Sequence, residues 1–159
     1  MNSYRTEDIR NLALMGQDGA GKTTLTEKLL YQAGAINSPG SVDKGNTVSD
    51  FEPDEQRYHH SLHTSVVGLD YDGTHINLLD TPGFPDFIGQ TLSAAPAVDA
   101  LAIVINAQNG IEPMTRRLMA WAEAHNYCRM IIVNKIDGEE QKLGQLLQEI
   151  RDTFSADCI

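Results

Sequence analysis

The sequence predicts an α/β domain built on a doubly wound, mostly parallel sheet with one antiparallel hairpin at its edge. Two features carry that expectation. Apolar runs of strand length alternate with stretches of helical period along the 159 residues. One Asp72-Gly73 dipeptide, the strongest short hairpin signal, sits between two strand-like runs. There is no internal repeat, low-complexity tract or linker, and the length suits one domain spanning residues 1–159.

Taken in order, Ile9 to Met15 is an apolar burst ending in the Gly16 turn, which reads as a buried parallel strand. Lys22 to Ala33 follows as a helix with Leu25, Leu29 and Ala33 on one face and Gly34 at its C-cap. From Ala35 to about Ser61 no period is sustained, and Ser, Asp, Gly, Pro and Asn dominate. A loop of that length is functional or mobile. Leu62 to Tyr71 and Thr74 to Asp80 form the hairpin strands, and a helix is expected around Phe87 to Ala95. Ala100 to Asn106 is a third buried strand. Pro113 suits the first turn of the next helix, where Met114, Leu118, Trp121 and His125 recur at helical spacing and read as core. Arg129 to Val133 is another strand. The last helix shows Leu143, Leu146, Leu147, Ile150 and Phe154 on one stripe, and Cys158-Ile159 begins one more strand.

Composition narrows the function classes. Hydrophobic residues make up 41% and charged residues 21%, which fits a globular chain rather than a disordered one. No apolar run is long enough to span a bilayer, and Met1 to Arg10 lacks the apolar core of a secretory signal. Cys128 and Cys158 are too few and too scattered for a disulfide framework or zinc site, and they read as reduced thiols of a cytoplasmic protein. A net charge of −10 argues against wrapping DNA or any other phosphate backbone.

Three motifs carry chemistry. Gly16-Gln17-Asp18-Gly19-Ala20-Gly21-Lys22-Thr23 fits GxxxxGK[ST] between a strand and a helix, the context this phosphate loop needs. Its glycines let backbone N–H groups turn inward around a phosphate, and the helix adds its positive N-terminal dipole. Lys22 would reach the β- and γ-phosphates, Thr23 would ligate Mg²⁺, and Thr24 extends the binding set. A chance match arises on the order of once in 200 chains of this size. The second motif is Asp80-Thr81-Pro82-Gly83, followed by Phe84. DxxG alone occurs by chance in about every second such chain, but here it ends a core strand beside the phosphate loop. There Asp80 would accept from the Mg²⁺ shell, and the Gly83 N–H would sense a γ-phosphate. The third is Asn134-Lys135-Ile136-Asp137, directly after a strand. The Asp137 carboxylate can accept both the ring N–H and the exocyclic amine of guanine, a donor pair adenine lacks. Asn134 would brace the loop and purine edge, and the Lys135 stem would cover the ring face. Together the three imply a guanine-nucleotide site for GTP or GDP with Mg²⁺.

The order GxxxxGKT, DTPG, NKID resembles the P-loop NTPase G domain of translational GTPases, and Ser41 to Phe51 resembles the first switch region of elongation factor G. The resemblance implies a GTPase that acts on the ribosome in the cytoplasm, with further domains following this one and the isolated domain monomeric. It implies that Tyr58-His59-His60-Ser61-Leu62 takes the place of the first-switch RGIT motif. Ser61 then stands as a catalytic and Mg²⁺-ligating hydroxyl beside Lys22 and Gly83. Four positions depart from the family pattern. Gln17 replaces a His, and Gly19 stands where many members have Asp. Ser61 replaces Thr, and Phe84 occupies the position of the His that orients the attacking water. Ser155-Ala156 copies the first letters of the guanine-contacting SA[KL] motif but sits at the end of the last helix.

Two rival readings follow. One is a guanine-nucleotide-binding, ribosome-associated switch whose hydrolysis is vestigial because of Phe84. The other, a P-loop ATPase or kinase, is disfavoured by Asn134–Asp137. Residues 35 to 63 are expected to be mobile without a γ-phosphate and to order when Ser61 reaches Mg²⁺. His59, His60 and His63 with Asp50 or Glu52 match no metal-ligand spacing and read as a solvated loop, although one of them could stand in for the missing catalytic His.

Overall fold

In the computed structural model, which describes residues 4–137 and 140–155, each apolar run becomes a strand: the central Ala100–Asn106 is buried on both faces, while Ser65–Tyr71 at the edge alternates buried and exposed side chains. The strands are β1 (Ile9–Met15), β2 (Ser65–Tyr71), β3 (Thr74–Asp80), β4 (Ala100–Asn106) and β5 (Arg129–Asn134). They form one sheet in the order β2-β3-β1-β4-β5, with only β2 antiparallel to its neighbour. Positive φ at Asp72 (47°) and Gly73 (75°) closes the β2–β3 hairpin in the primed turn that suits strand twist.

The helices are α1 (Lys22–Gln32), α2 (Pro53–Tyr58), α3 (Ile88–Ala94), α4 (Pro113–Ala124) and α5 (Glu140–Thr153). Alternation along the strands divides them between the two faces. Ala13, Met15, Leu101 and Ile103 meet α3 and α4 through Ala94, Met114, Leu118 and Ala122. Ile105 meets α5 through Leu146 and Ile150. On the opposite face Leu14, Ala102 and Val104 pack with Leu25 of α1, while Leu30 closes on Val67, Leu69 and Leu78. Burying each of the Leu, Ile, Val and Met side chains contributes about 1.5–3 kcal/mol. Trp121 stacks on Tyr127 and packs against this core, as its helical spacing implies.

Register aligns the strands' carboxyl ends. Leu14 pairs with Asp80, Met15 with Ile103, and Asn106 with Asn134. The chain leaves β1 for β3 on one side and β4 on the other, so the crevice above β1 is the topological switch point where open α/β sheets bind ligands.

Local expectations shift in four places. The buried stripe of α1 is Lys22, Thr23, Thr26, Glu27 and Leu30, and Leu29 is 37% exposed. That stripe is polar because it faces the long loop rather than the sheet alone. The loop itself contains a 3₁₀ turn, Val42–Lys44, and α2, which opens at Pro53 with the Glu55 carboxylate accepting from the Glu52 N–H. β2 starts at Ser65 rather than Leu62, since the Leu62 and His63 N–H groups donate to the Glu55 carboxylate instead of a ladder. Leu147 of α5 is exposed while Leu146 and Ile150 carry the core contact. The strand expected at Cys158-Ile159 lies outside the described residues.

Candidate functional site

The three loops after β1, β3 and β5 open onto one cavity of about 880 Å³, within the range of small-molecule sites. Its lining includes Asp18, Gly19, Gly21, Lys22, Thr23 and Thr24 from the phosphate loop, Gly83 from the β3 loop, and Asn134, Lys135, Ile136 and Asp137 from the β5 loop. The segment between α1 and β2, read above as a first switch, closes it with Asp50, His59, His60 and Ser61.

Gly21 adopts φ +90°, and a Cβ there would come 2.5 Å from Asn134 Nδ2. That approach lets Asn134 Nδ2 donate to the Ala20 carbonyl at 2.9 Å, which joins the β5 loop to the phosphate loop across 114 residues of sequence. Gly83 is equally confined, because a Cβ would lie 2.5 Å from Lys22 Nζ and 2.6 Å from Asp18 N. Only hydrogen there lets the Asp80–Gly83 turn lie against the phosphate loop.

Lys22 is buried, and its Nζ donates to the Gly16 and Gln17 carbonyls at 3.1 Å each. Burial holds its ammonium below the ordinary lysine range, against the pull of Asp80, Asp18 and Asp50. Asp80 is 1% exposed, and burial pushes its carboxyl up to about 6 although Lys22 and the Thr23 and Ser49 hydroxyls oppose the shift. Ser49 Oγ donates to Asp80 Oδ2 at 3.0 Å. The other oxygen, Oδ1, is buried without a hydrogen-bond partner among the described residues. Thr23 Oγ1 and Ser61 Oγ stand 3.2 Å apart, and Ser61 Oγ donates to Asp50 Oδ1 at 2.7 Å.

Some expected binding residues sit behind the lining. Thr81 is fully buried with its hydroxyl on the Leu14 carbonyl at 2.7 Å, and the Pro82 carbonyl accepts from Thr91 Oγ1 at 2.8 Å. These contacts fix the turn that presents Gly83. Gly16, Gln17, Ala20, Asp80 and Phe84 likewise shape the wall without lining the space. Ser155 lines a different groove, beside α4 and α5, and Ala156 lies outside the described residues. No cluster of three or more His, Cys, Asp or Glu side chains able to hold a metal occurs among the described residues. His59 Nδ1 lies 2.9 Å from the Val42 carbonyl, and His60 packs on Phe84.

Several residues of the site carry no motif. The buried Glu27 of α1 accepts from the Gly40 N–H at 2.6 Å and the Val48 N–H at 2.5 Å, so it ties the first switch segment to the phosphate-loop helix. Asp50 and Glu55 do comparable work for Ser61 and for residues 62 and 63. The only sequence signal was the length and polarity of the loop they hold.

Such a cavity, with a phosphate loop at one end and Asn134–Asp137 at the other, defines the nucleotide-binding class of P-loop domains. Residues 7–158 match the elongation factor Tu GTP binding domain family, and the chain belongs to that family. It is 37% identical over 146 residues to an elongation factor G-like protein of Mycobacterium tuberculosis, covering 92% of this chain and 20% of that protein. It is 42% identical over 154 residues to peptide chain release factor 3 of Nitrosomonas eutropha, covering 94% of this chain and 29% of that protein. A solved structure from Thermus thermophilus superposes with a TM-score of 0.86 at 38% identity, over 91% of this chain and 22% of that one. The chain thus spans less than a third of the length of these relatives. No described helix is long and apolar enough to cross a membrane.

Proposed function

We propose that this chain is the GTP-binding domain of an elongation factor G-like translation factor, binding GTP and GDP with Mg²⁺ and hydrolysing GTP to GDP and phosphate on the ribosome. The observation that carries the reading is the Asn134–Ala20 hydrogen bond. It ties the loop that carries Asp137 to the phosphate loop, and both line one cavity, which supports reading them as the base and phosphate ends of a single nucleotide site.

In this reading Asp137 accepts from the guanine edge while Lys135 covers the ring. The amides of Gly16 to Thr23 and the Lys22 ammonium hold the phosphates and stabilise the charge that develops during transfer. The hydroxyls of Thr23 and Ser61 and the orphaned Asp80 Oδ1 are hard oxygen donors that fit Mg²⁺, Thr23 and Ser61 as ligands and Asp80 as an acceptor behind them. Bound Mg²⁺ supplies neutralisation of phosphate charge. Gly83 lies close against Lys22 and Asp18, and in this reading its N–H donates to the terminal phosphoryl group and reports its loss to the chain that follows.

Single-turnover hydrolysis of GTP by the full-length protein, with and without ribosomes, tests the reading. Ribosome-stimulated release of phosphate is expected. Hydrolysis of ATP and GTP at equal rates, or indifference to ribosomes, would contradict it.

A further inference from the structure

The turn after Asp80 delivers Phe84 beside the Lys22–Gly83 end of the cavity, and a phenyl ring has no lone pair or N–H with which to hold a water. What lies on that ring is informative. The His60 imidazole packs against Phe84 with centroids 4.7 Å apart and planes tilted by 41°. His60 lines the cavity next to Ser61, whose hydroxyl reaches Thr23. Its ring nitrogens make no hydrogen bond to the described residues, whereas neighbouring His59 is turned to the Val42 carbonyl. Asp50, the carboxylate next to Ser61, is already committed to the Ser61 hydroxyl. The imidazole is thus an unengaged hydrogen-bonding group at the phosphate end, held in place by an aromatic contact.

We propose that His60 is the catalytic residue that orients the attacking water, with Phe84 as the platform that seats its ring. The inference rests on the GTP hydrolysis proposed above. A ring nitrogen accepts a hydrogen bond from the water, whose oxygen bonds to the terminal phosphorus as the bond from that phosphorus to the β–γ bridging oxygen breaks. The electron pair leaves with GDP, and the water's proton leaves on the inorganic phosphate. A positioned group of this kind contributes about 10²–10⁴-fold to the rate.

The test is single-turnover GTP hydrolysis by the full-length protein on ribosomes, with affinity for a fluorescent GTP analogue measured in parallel. His60→Ala is expected to slow hydrolysis about 10²–10⁴-fold while affinity stays within about threefold. His60→Gln, which keeps a hydrogen-bonding group, recovers part of the rate. Phe84→His in the His60→Ala background recovers it by supplying an imidazole from the platform position. Hydrolysis by His60→Ala within about threefold of the unmodified protein would overturn the proposal, as would a parallel loss of rate and affinity. An unmodified protein that binds GTP but never hydrolyses it would overturn it too, in favour of a vestigial switch. Failure to bind GTP would instead remove the functional reading beneath it.

Discussion

Ser61 donates its hydroxyl hydrogen to Asp50 at 2.7 Å while its oxygen stands 3.2 Å from that of Thr23. The carboxylate fixes the hydroxyl's orientation, so the serine lone pairs remain turned toward the Thr23 side. A serine side chain is less restricted in rotamer than a β-branched threonine, and Asp50 supplies that constraint here. Asp50 is 3% exposed, and burial raises its carboxyl above the usual range despite the Ser61 bond and Lys22. Asp50→Ala is expected to weaken Mg²⁺-dependent nucleotide retention by about 1–3 kcal/mol, roughly 5- to 150-fold. Asp50→Asn, oriented to keep an acceptor oxygen, should lose less. Nucleotide release under Mg²⁺ titration measures both. Equal release from Asp50→Ala and the unmodified protein would remove this role.

Glu27 holds the first switch segment from the other side. Its two oxygens accept from Gly40 and Val48, so Glu27→Ala leaves two amides without their partner and Glu27→Gln turns an amine against one of them. Each orphaned amide costs about 1–3 kcal/mol. Proteolysis within residues 35–63 should therefore accelerate in both variants, more than cleavage elsewhere. A non-hydrolysable GTP analogue should slow it if Ser61 is drawn to Mg²⁺. Cleavage rates unchanged by Glu27→Ala would contradict the tie.

The fold class, with its antiparallel hairpin at the edge, and the three motif loops were legible in the sequence because each depends on local pattern, whereas the strand order β2-β3-β1-β4-β5 came from the structure. Strand alternation, the Asp72-Gly73 turn and the glycine spacing of the phosphate loop are all set within a few residues. The organisation of residues 35 to 63 was not legible, for its contacts join Glu27 to Gly40 and Val48, Glu55 to Leu62 and His63, and Asp50 to Ser61. These are irregular pairings of polar groups with no period to detect. The same contacts explain why counting apolar residues placed Leu29 inward while α1 buries Glu27 and Leu30. Phe84 was conspicuous as a departure, but its contact with His60 required the fold.

Asp80 makes the domain's stability depend on pH. Its folded-state carboxyl titrates at about 6, above its ordinary value of 3.8, because the charged form is desolvated. Between those values the folded state binds more protons than the unfolded state, so stability falls as pH rises from about 4 to 6 and then levels. The shift corresponds to about 3 kcal/mol. Denaturant unfolding without nucleotide or Mg²⁺ should show this slope, and Asp80→Asn should flatten it. An equal slope in the variant would assign it to other groups.

Guanine selectivity is the central claim, and competition binding measures it most directly. Displacement of a fluorescent GTP analogue by GTP, GDP, ATP and xanthosine triphosphate should be followed for the unmodified protein and for Asp137→Asn. GTP and GDP are expected to compete more strongly than ATP by about 2–5 kcal/mol, tens to thousands of fold. In Asp137→Asn the preference should pass to the xanthine nucleotide, whose carbonyl replaces the guanine amine and meets the new amide. Equal displacement by ATP and GTP in the unmodified protein would contradict the account.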